Sequence, residues 1–282
     1  MTAAEPLAPR ISLSDGTSIP QLGLGVYKVP AEQTAELVAG AIELGYRHVD
    51  TAALYQNERE VGEGVRASGV PRDELYVTSK VWDDQHGVEE TRVAFLDSLE
   101  KAGLDYFDLY LIHWPVPAQD RYVDAWKALI ALREQGLVRS IGVSNFEPHH
   151  LQRLVDETGV APVVDQVELH PWLPQREVRA AASAMGAVVE SWSPLARGRA
   201  LEAGSRELAV LEPIAERHGK TPAQVVLRWH VQQGLVVIPK STSLGRVAEN
   251  AAIFDWELTA TDMGEIAQLE TGERTGMHPD EH

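Results

Sequence analysis

Four side chains that can move or steer protons stand at or near the ends of short apolar runs. Asp50 closes the run His48-Val49-Asp50, and Tyr55 follows in the next loop. Lys80 ends a run that begins at Leu75. His113 ends one that begins at Phe107, with Trp114 directly behind it. A tyrosine hydroxyl has a reference pKa of about 10, too high for easy donation near neutrality. A neighbouring lysine cation stabilises the phenolate and lowers that value. A buried aspartate keeps the lysine charged and aimed. A histidine can hydrogen-bond a substrate oxygen or share its proton. Together the four suit proton donation to a carbonyl oxygen, a chemistry that needs no protein nucleophile and no metal. Taken singly, each has a plainer reading: a tyrosine covering a core, a solvated lysine, a helix-capping aspartate, a satisfied interior histidine. Their shared position past apolar runs is what the plainer readings leave unexplained.

The elements that would position them alternate. Runs at 21–25, 48–50, 75–79, 107–113, 140–144, 163–168, 187–191 and 235–239 read as strands. Helical stretches fall at 31–44, 57–67, 88–102, 120–135, 148–157, 174–185, 221–233 and 244–251. Ala35, Val38 and Ile42 show the helical spacing, as do Thr91, Phe95 and Leu99. Asn57 with Glu60 reads as a cap close to a capping box, and Thr221-Pro222-Ala223-Gln224 is a strong helix start. Such alternation implies parallel strands joined by right-handed crossovers. At this length a closed (β/α)8 TIM barrel is the expected fold, and a doubly wound open sheet fits the pattern too. Ahead of the first run, Ile11-Ser12-Leu13 and Ser18-Ile19 flank Asp15-Gly16, which reads as an N-terminal β-hairpin able to plug one barrel end. Barrel chemistry sits at the C-terminal strand ends, where these four residues fall.

Composition narrows the function. The chain has 282 residues, 25 Lys+Arg against 42 Asp+Glu, and a formal net charge of −17. That balance disfavours nucleic acid as a partner. With no cysteine, disulfide scaffolds, thiol nucleophiles and thiolate metal sites are excluded, and a reducing, cytoplasmic setting is expected. No apolar run reaches the roughly 18 residues of a membrane helix, so no membrane association is expected. Prolines and charges break residues 1–10, so no secretory leader is expected there. No linker or low-complexity segment divides residues 1–282, which read as a single domain.

Several segments together resemble the aldo-keto reductase superfamily, over about residues 11–280. They are Gly45-Tyr46-Arg47-His48-Val49-Asp50 with Tyr55-Gln56-Asn57-Glu58, then Thr78-Ser79-Lys80-Val81-Trp82 and Asp108-Leu109-Tyr110-Leu111-Ile112-His113-Trp114-Pro115. Ile141-Gly142-Val143-Ser144-Asn145-Phe146 and Ile238-Pro239-Lys240-Ser241 complete the set, in order. The resemblance implies a barrel that binds NADP(H) without a Rossmann fold and reduces carbonyl compounds. It implies Tyr55 as general acid, Lys80 paired with Asp50 beside it, and His113 orienting the carbonyl. It implies Ser144, Asn145 and Gln166 as partners of the nicotinamide carboxamide, and Trp192 stacked on the nicotinamide ring. Trp at that place is similar to a bacterial branch that includes 2,5-diketo-D-gluconic acid reductases. Ser193 and Leu195 would follow the pyrophosphate, with the backbone near Gly25 and Val26 lining the cofactor. Lys240, Ser241, Thr242 and Arg246 match the adenosine 2′-phosphate site, with Glu249 and Asn250 against the adenine. By the same analogy the protein is expected to be a monomer.

Charge distribution supports an anion site independently. From Arg217 to Arg246 the chain carries Arg217, Lys220, Arg228, Lys240 and Arg246 and no carboxylate side chain. An acidic chain that clears one stretch of carboxylates accommodates an anion there, unless the stretch is merely a cation-rich surface helix. Ser241-Thr242-Ser243 can cap the next helix, whose N-terminus favours phosphate. An arginine there suits a bidentate phosphate contact and NADP over NAD.

Trp82 lies two residues after Lys80, Trp114 directly follows His113, and Tyr27 follows the first strand. These three are expected to wall the substrate pocket, and residues 273–278 to cover it. The segment after Pro115 is short compared with animal aldose reductases, which implies an open pocket. Diketogluconate-like keto acids, α-dicarbonyls and simple aldehydes all fit. Gly23-Leu24-Gly25-Val26-Tyr27-Lys28 starts like a dinucleotide fingerprint but has Lys28 where the last glycine belongs. His149-His150 and His278, Glu281 and His282 lack ligand spacing on one element, so no metal site is expected. Two other classes remain open on sequence. One is a nucleotide-sensing barrel of the kind that accompanies some potassium channels. The other is a barrel acting on a phosphorylated sugar.

Overall fold

The computed structural model describes residues 4–282. Strands β1 (Arg10–Ser12) and β2 (Ser18–Pro20) form the antiparallel hairpin, with Ile11 opposite Ile19. Eight parallel strands follow. They are β3 (Leu24–Gly25), β4 (His48–Asp50), β5 (Tyr76–Val81), β6 (Phe107–Ile112), β7 (Val138–Ser144), β8 (Val164–Glu168), β9 (Val188–Trp192) and β10 (Val236–Val237). They pair in sequence order. Closure distinguishes a barrel from an open sheet, and this sheet closes. Leu22 bridges Val237 and Gly25 bridges Lys240, both parallel. Gly23 N donates to Val237 O at 2.9 Å, and Val237 N to Gln21 O at 3.0 Å. The two glycines of the failed fingerprint serve this seam. A Cβ on Gly23 would lie 2.7 Å from His48 Nδ1, and one on Gly25 would lie 3.1 Å from Ile238 O.

The hairpin seals the N-terminal end of the barrel. Leu13 and Ile19 pack with Tyr76, Val164 and Val236, which open β5, β8 and β10. Asp15 Oδ2 accepts from Ser140 Oγ at 2.7 Å, near the start of β7. The C-terminal strand ends are thus left as the mouth.

Ten α-helices occur among the described residues where the sequence suggests eight. They are α1 (Ala31–Glu43), α2 (Glu58–Ala67), α3 (Val88–Ala102), α4 (Tyr122–Glu134), α5 (Pro148–Thr158), α6 (Arg176–Ala184), α7 (Arg206–His218), α8 (Pro222–Gln232), α9 (Leu244–Ala251) and α10 (Ala260–Ala267). The unforeseen pair are α7, which carries Pro213 inside it, and α10, which follows the barrel. Pro213 masks a good pattern: Leu211, Ile214 and Ala215 are all buried. Helix α8 has the expected capping box between Thr221 and Gln224. Asn57 does not cap α2 with its side chain. Its Oδ1 instead accepts from Thr51 Oγ1 at 2.7 Å, and its Nδ2 donates to Val26 O at 3.1 Å. Those two bonds pin the loop carrying Tyr55 to the end of β3.

Candidate active site

The four proton-handling residues meet at the mouth. Asp50 is the last residue of β4 and Lys80 lies inside β5, on adjacent paired strands. Lys80 Nζ donates to Asp50 Oδ1 and Oδ2 at 2.7 and 2.8 Å, and to Thr51 O at 2.9 Å. Tyr55 ends a one-turn helix, Ala53–Tyr55, and its ring centroid lies 5.2 Å from Lys80 Nζ. His113 follows β6 and meets the Tyr55 ring edge-on at 5.7 Å.

The electrostatics depart from expectation in one respect. Lys80 is paired with Asp50, and the net effect of the surroundings on the phenol is upward. Burial, then Asp50, Tyr27 and Glu190, push Tyr55 well above the ordinary tyrosine range. Its proton is therefore held until a stronger base forms. His113 is driven well below the ordinary histidine range, first by burial and then by Lys80, His282 and His86. A neutral imidazole results, able to steer an oxygen without adding charge.

Beside this group lies a polar shelf. Ser144 ends β7, Gln166 sits in β8, and Trp192 ends β9. Asn145 adopts φ 64°, a left-handed conformation that asparagine tolerates better than most residues. It donates from Nδ2 to His113 O at 2.9 Å and Ser144 Oγ at 3.1 Å. Its Oδ1 accepts from Trp192 Nε1 at 2.9 Å, which fixes the indole as a wall. Ser193 and Leu195 follow on the next loop, half-buried, with Ser193 at φ 49°.

The barrel seam carries the cation cluster. Gly25 bridges Lys240, so the backbone at Gly25 and Val26 adjoins the Lys240-Ser241-Thr242 turn. Lys240 is held below the ordinary lysine range by burial and by the cations Arg246 and Lys28. None of the three has a carboxylate partner among the described residues. Ser243 is the N-cap of α9 but makes no side-chain cap bond, which leaves first-turn N–H groups open. Repelling cations beside an uncapped helix start fit an anion such as a 2′-phosphate. Glu249 and Asn250 lie toward the far end of α9, one exposed and one buried. Of the other expected cations, Arg217 is bound to Asp262 and Glu265 and Lys220 to Asp255, so they belong to surface pairs.

Aromatic residues line the rim. Tyr27 lies 4.9 Å from Tyr55, and Trp82 lies 5.1 Å from His113. Trp114 stands 6.5 Å from Trp192. The sequence marks the last residue only as a candidate metal ligand, not as part of the rim. His282 stacks on Trp114 at 4.3 Å, and its Nε2 meets Asp83 Oδ2 at 2.5 Å. The end of the chain is led there by Glu168, which accepts from Thr275 N at 2.7 Å and Gly276 N at 2.9 Å. His149 and His150 meet Asp280 at 3.2 and 3.3 Å, close enough together to group as metal-ligating atoms. However, His150 Nδ1 accepts from Glu147 N, so the neutral ring carries its proton on Nε2 and presents no lone pair to a metal there.

A closed barrel with a phenol, a buried lysine–aspartate pair and a neutral histidine at its mouth, beside an amide shelf and an anion cradle, defines a nicotinamide-dependent carbonyl oxidoreductase. The chain belongs to the aldo/keto reductase family, whose sequence pattern matches residues 19–271. It is 52% identical over 273 residues to an aldo-keto reductase of Mycolicibacterium smegmatis, covering 97% of this chain and 98% of that protein. It is 52% identical over 271 residues to the methylglyoxal reductase DkgA of Salmonella typhimurium, covering 96% and 97%. The crystal structure of a Gox0644 mutant in complex with NADPH superposes with a TM-score of 0.91 at 46% identity, covering 97% and 98%. Among the described residues, no helix is long and apolar enough to cross a membrane.

Proposed function

We propose that this chain reduces small aldehydes and α-dicarbonyl compounds to alcohols with NADPH, Tyr55 supplying the proton. One observation carries the assignment of Tyr55. Its ring stands over the Lys80–Asp50 pair and against neutral His113, at the open end of the barrel. NADPH supplies the hydride when bound. Ser144, Asn145 and Gln166 hold its carboxamide, Trp192 walls its ring, and Ser193 and Leu195 follow the pyrophosphate. Gly25 and Val26 line it through their backbone. Lys240, Ser241, Thr242 and Arg246 take the 2′-phosphate, with Glu249 and Asn250 beside the adenine. His113 orients the substrate carbonyl. As alkoxide character develops on the oxygen, Tyr55 gives up its proton, which a raised pKa retains until that moment.

Tyr27, Trp82 and Trp114 bound the substrate. Their rings make an aromatic rim, and the DkgA relative bears the name of a methylglyoxal reductase. Diketogluconate-like keto acids come second. The same proposal includes a single-domain monomer of the cytoplasm, a reading supported by the lack of cysteine.

The test is loss of reduced-nicotinamide absorbance across a carbonyl panel. It would include methylglyoxal, 2,5-diketo-D-gluconate, a keto ester and an aromatic aldehyde, with NADH as control. Turnover of methylglyoxal with NADPH supports the reading. Tight NADPH binding without turnover of any carbonyl rejects it in favour of a sensing role.

A further inference from the structure

Glu190 is an acid in the middle of β9, wholly enclosed in the barrel and without a lysine or arginine partner of its own. It sits directly opposite Gln166 in the β8–β9 register. Gln166 Nε2 donates to Glu190 Oε2 at 2.7 Å and to Asp50 Oδ2 at 2.8 Å. Both amide protons are thereby committed to carboxyl oxygens. Oε1 is the one uncommitted atom of the amide, and it is not among the sealed-off polar atoms of the core. Turning the amide over would set its oxygen against the Asp50 carboxyl group, itself salt-bridged to Lys80 at 2.7 Å.

We propose that Glu190 is a positioning residue for the nicotinamide. With Asp50 it locks the Gln166 amide so that only an acceptor, Oε1, is offered to the ligand. Gln166 then recognises the carboxamide through its N–H2 group and not through its carbonyl. This rests on the reading that Gln166 meets the carboxamide at all. The groups facing Glu190 are His48 and Asp50 from β4, Lys80 from β5, Gln166 from β8 and the Tyr55 and Tyr76 phenols. Burial and then Asp50 push Glu190 up to about 8, while burial pushes His48 down to about 3. Near neutrality both are uncharged, and Lys80–Asp50 is the ion pair of this layer. Glu190 therefore acts as a neutral acceptor, and a glutamine of the same size can replace it.

The experiment compares dissociation constants for NADP and its 3-acetylpyridine analogue, read by quenching of tryptophan emission. The analogue keeps a carbonyl but lacks the N–H2. Wild type should prefer NADP about tenfold, one hydrogen bond's worth. Glu190→Met removes one of the two acceptors, so the amide swings on its single remaining bond to Asp50. Oε1 is then no longer held toward the carboxamide, and the preference should come close to unity through weaker NADP binding. Glu190→Gln should keep the preference. A merely structural role for Glu190 would weaken both ligands alike, leave the preference intact and overturn the proposal. Loss of the preference in Glu190→Gln would also overturn it, and this arm stands even where Glu190→Met does not fold. Gln166→Leu separates the two layers of the reading. If it too keeps the preference, Gln166 does not hold the carboxamide and the underlying assignment fails. If it loses the preference while Glu190→Met keeps it, the positioning role alone fails.

Discussion

Lys80 Nζ reaches both carboxylate oxygens of Asp50, at 2.7 and 2.8 Å, inside a layer from which water is excluded. Among the described residues neither charge has another ionised partner at such range; Lys80 adds only Thr51 O and Asp50 only the Gln166 amide. Lys80→Met should therefore cost more than its lost contacts, because Asp50 is left buried and unpaired. The expected loss is about 3–5 kcal/mol in guanidinium unfolding. Asp50→Asn with Lys80→Met removes both charges and should recover much of it. A double variant no more stable than Lys80→Met would show that the pair is not the source.

Tyr55→Phe keeps the ring that packs on Tyr27 and His113 and removes only the hydroxyl. Turnover should fall about a hundred- to ten-thousandfold, the usual share of a positioned general acid. NADPH affinity should stay at the wild-type level, since the assigned cofactor contacts lie on β3, β7, β8, β9, the loop after β9 and the α9 turn, and none of them is the Tyr55 hydroxyl. Turnover retained in this variant would reassign the proton donor, with His113 the next candidate.

The fold was legible as alternation, and the tetrad as polar ends on apolar runs. Closure was not. Runs of this length do not say whether the first and last strands meet, and only the Gly23 and Gly25 contacts to Val237 and Lys240 decide it. Helix α7 was hidden by Pro213 although its buried positions keep helical spacing. Glu190 was illegible for a different reason. An acid within an apolar strand means nothing until its partners are known, and those lie 24 residues away at Gln166 and farther still at His48. His282 was legible only as a candidate metal ligand, because its platform, Trp114, is remote in sequence. The expected lowering of the Tyr55 pKa failed because residue types alone do not reveal how completely Tyr55 is enclosed, and burial is the largest influence on its hydroxyl.

The anion cradle makes a quantitative claim about cofactor choice. Lys240 and Arg246 repel one another, together with Lys28, and lack carboxylate partners among the described residues. Lys240→Ala with Arg246→Ala should weaken NADPH at least tenfold, as loss of charge-assisted bonds of about 1.5–3 kcal/mol each implies. NADH affinity should change little, since it lacks the 2′-phosphate. Titrating both reduced cofactors into wild type and variant checks this. Equal weakening would mean that the cluster contacts the pyrophosphate, not the ribose phosphate.

Glu168 gives the closing segment a pH dependence. It is 1% exposed, and burial alone would raise its carboxyl. Hydrogen bonds from His170, Thr275 and Gly276 outweigh that and hold it at about 2. An unfolded glutamate titrates near 4.3. The folded value is the lower one, so the stabilisation is complete above the unfolded value and disappears as pH falls through about 2. The shift corresponds to roughly 3 kcal/mol at most. Glu168→Gln removes the charge that these donors solvate. Its deficit in urea unfolding should be large near pH 6, smaller near pH 4 and nearly gone near pH 2. A gap that stays constant across that range would mean that the variant's cost is packing around Thr275 and Gly276, and that the charge of Glu168 does not hold the segment over the mouth.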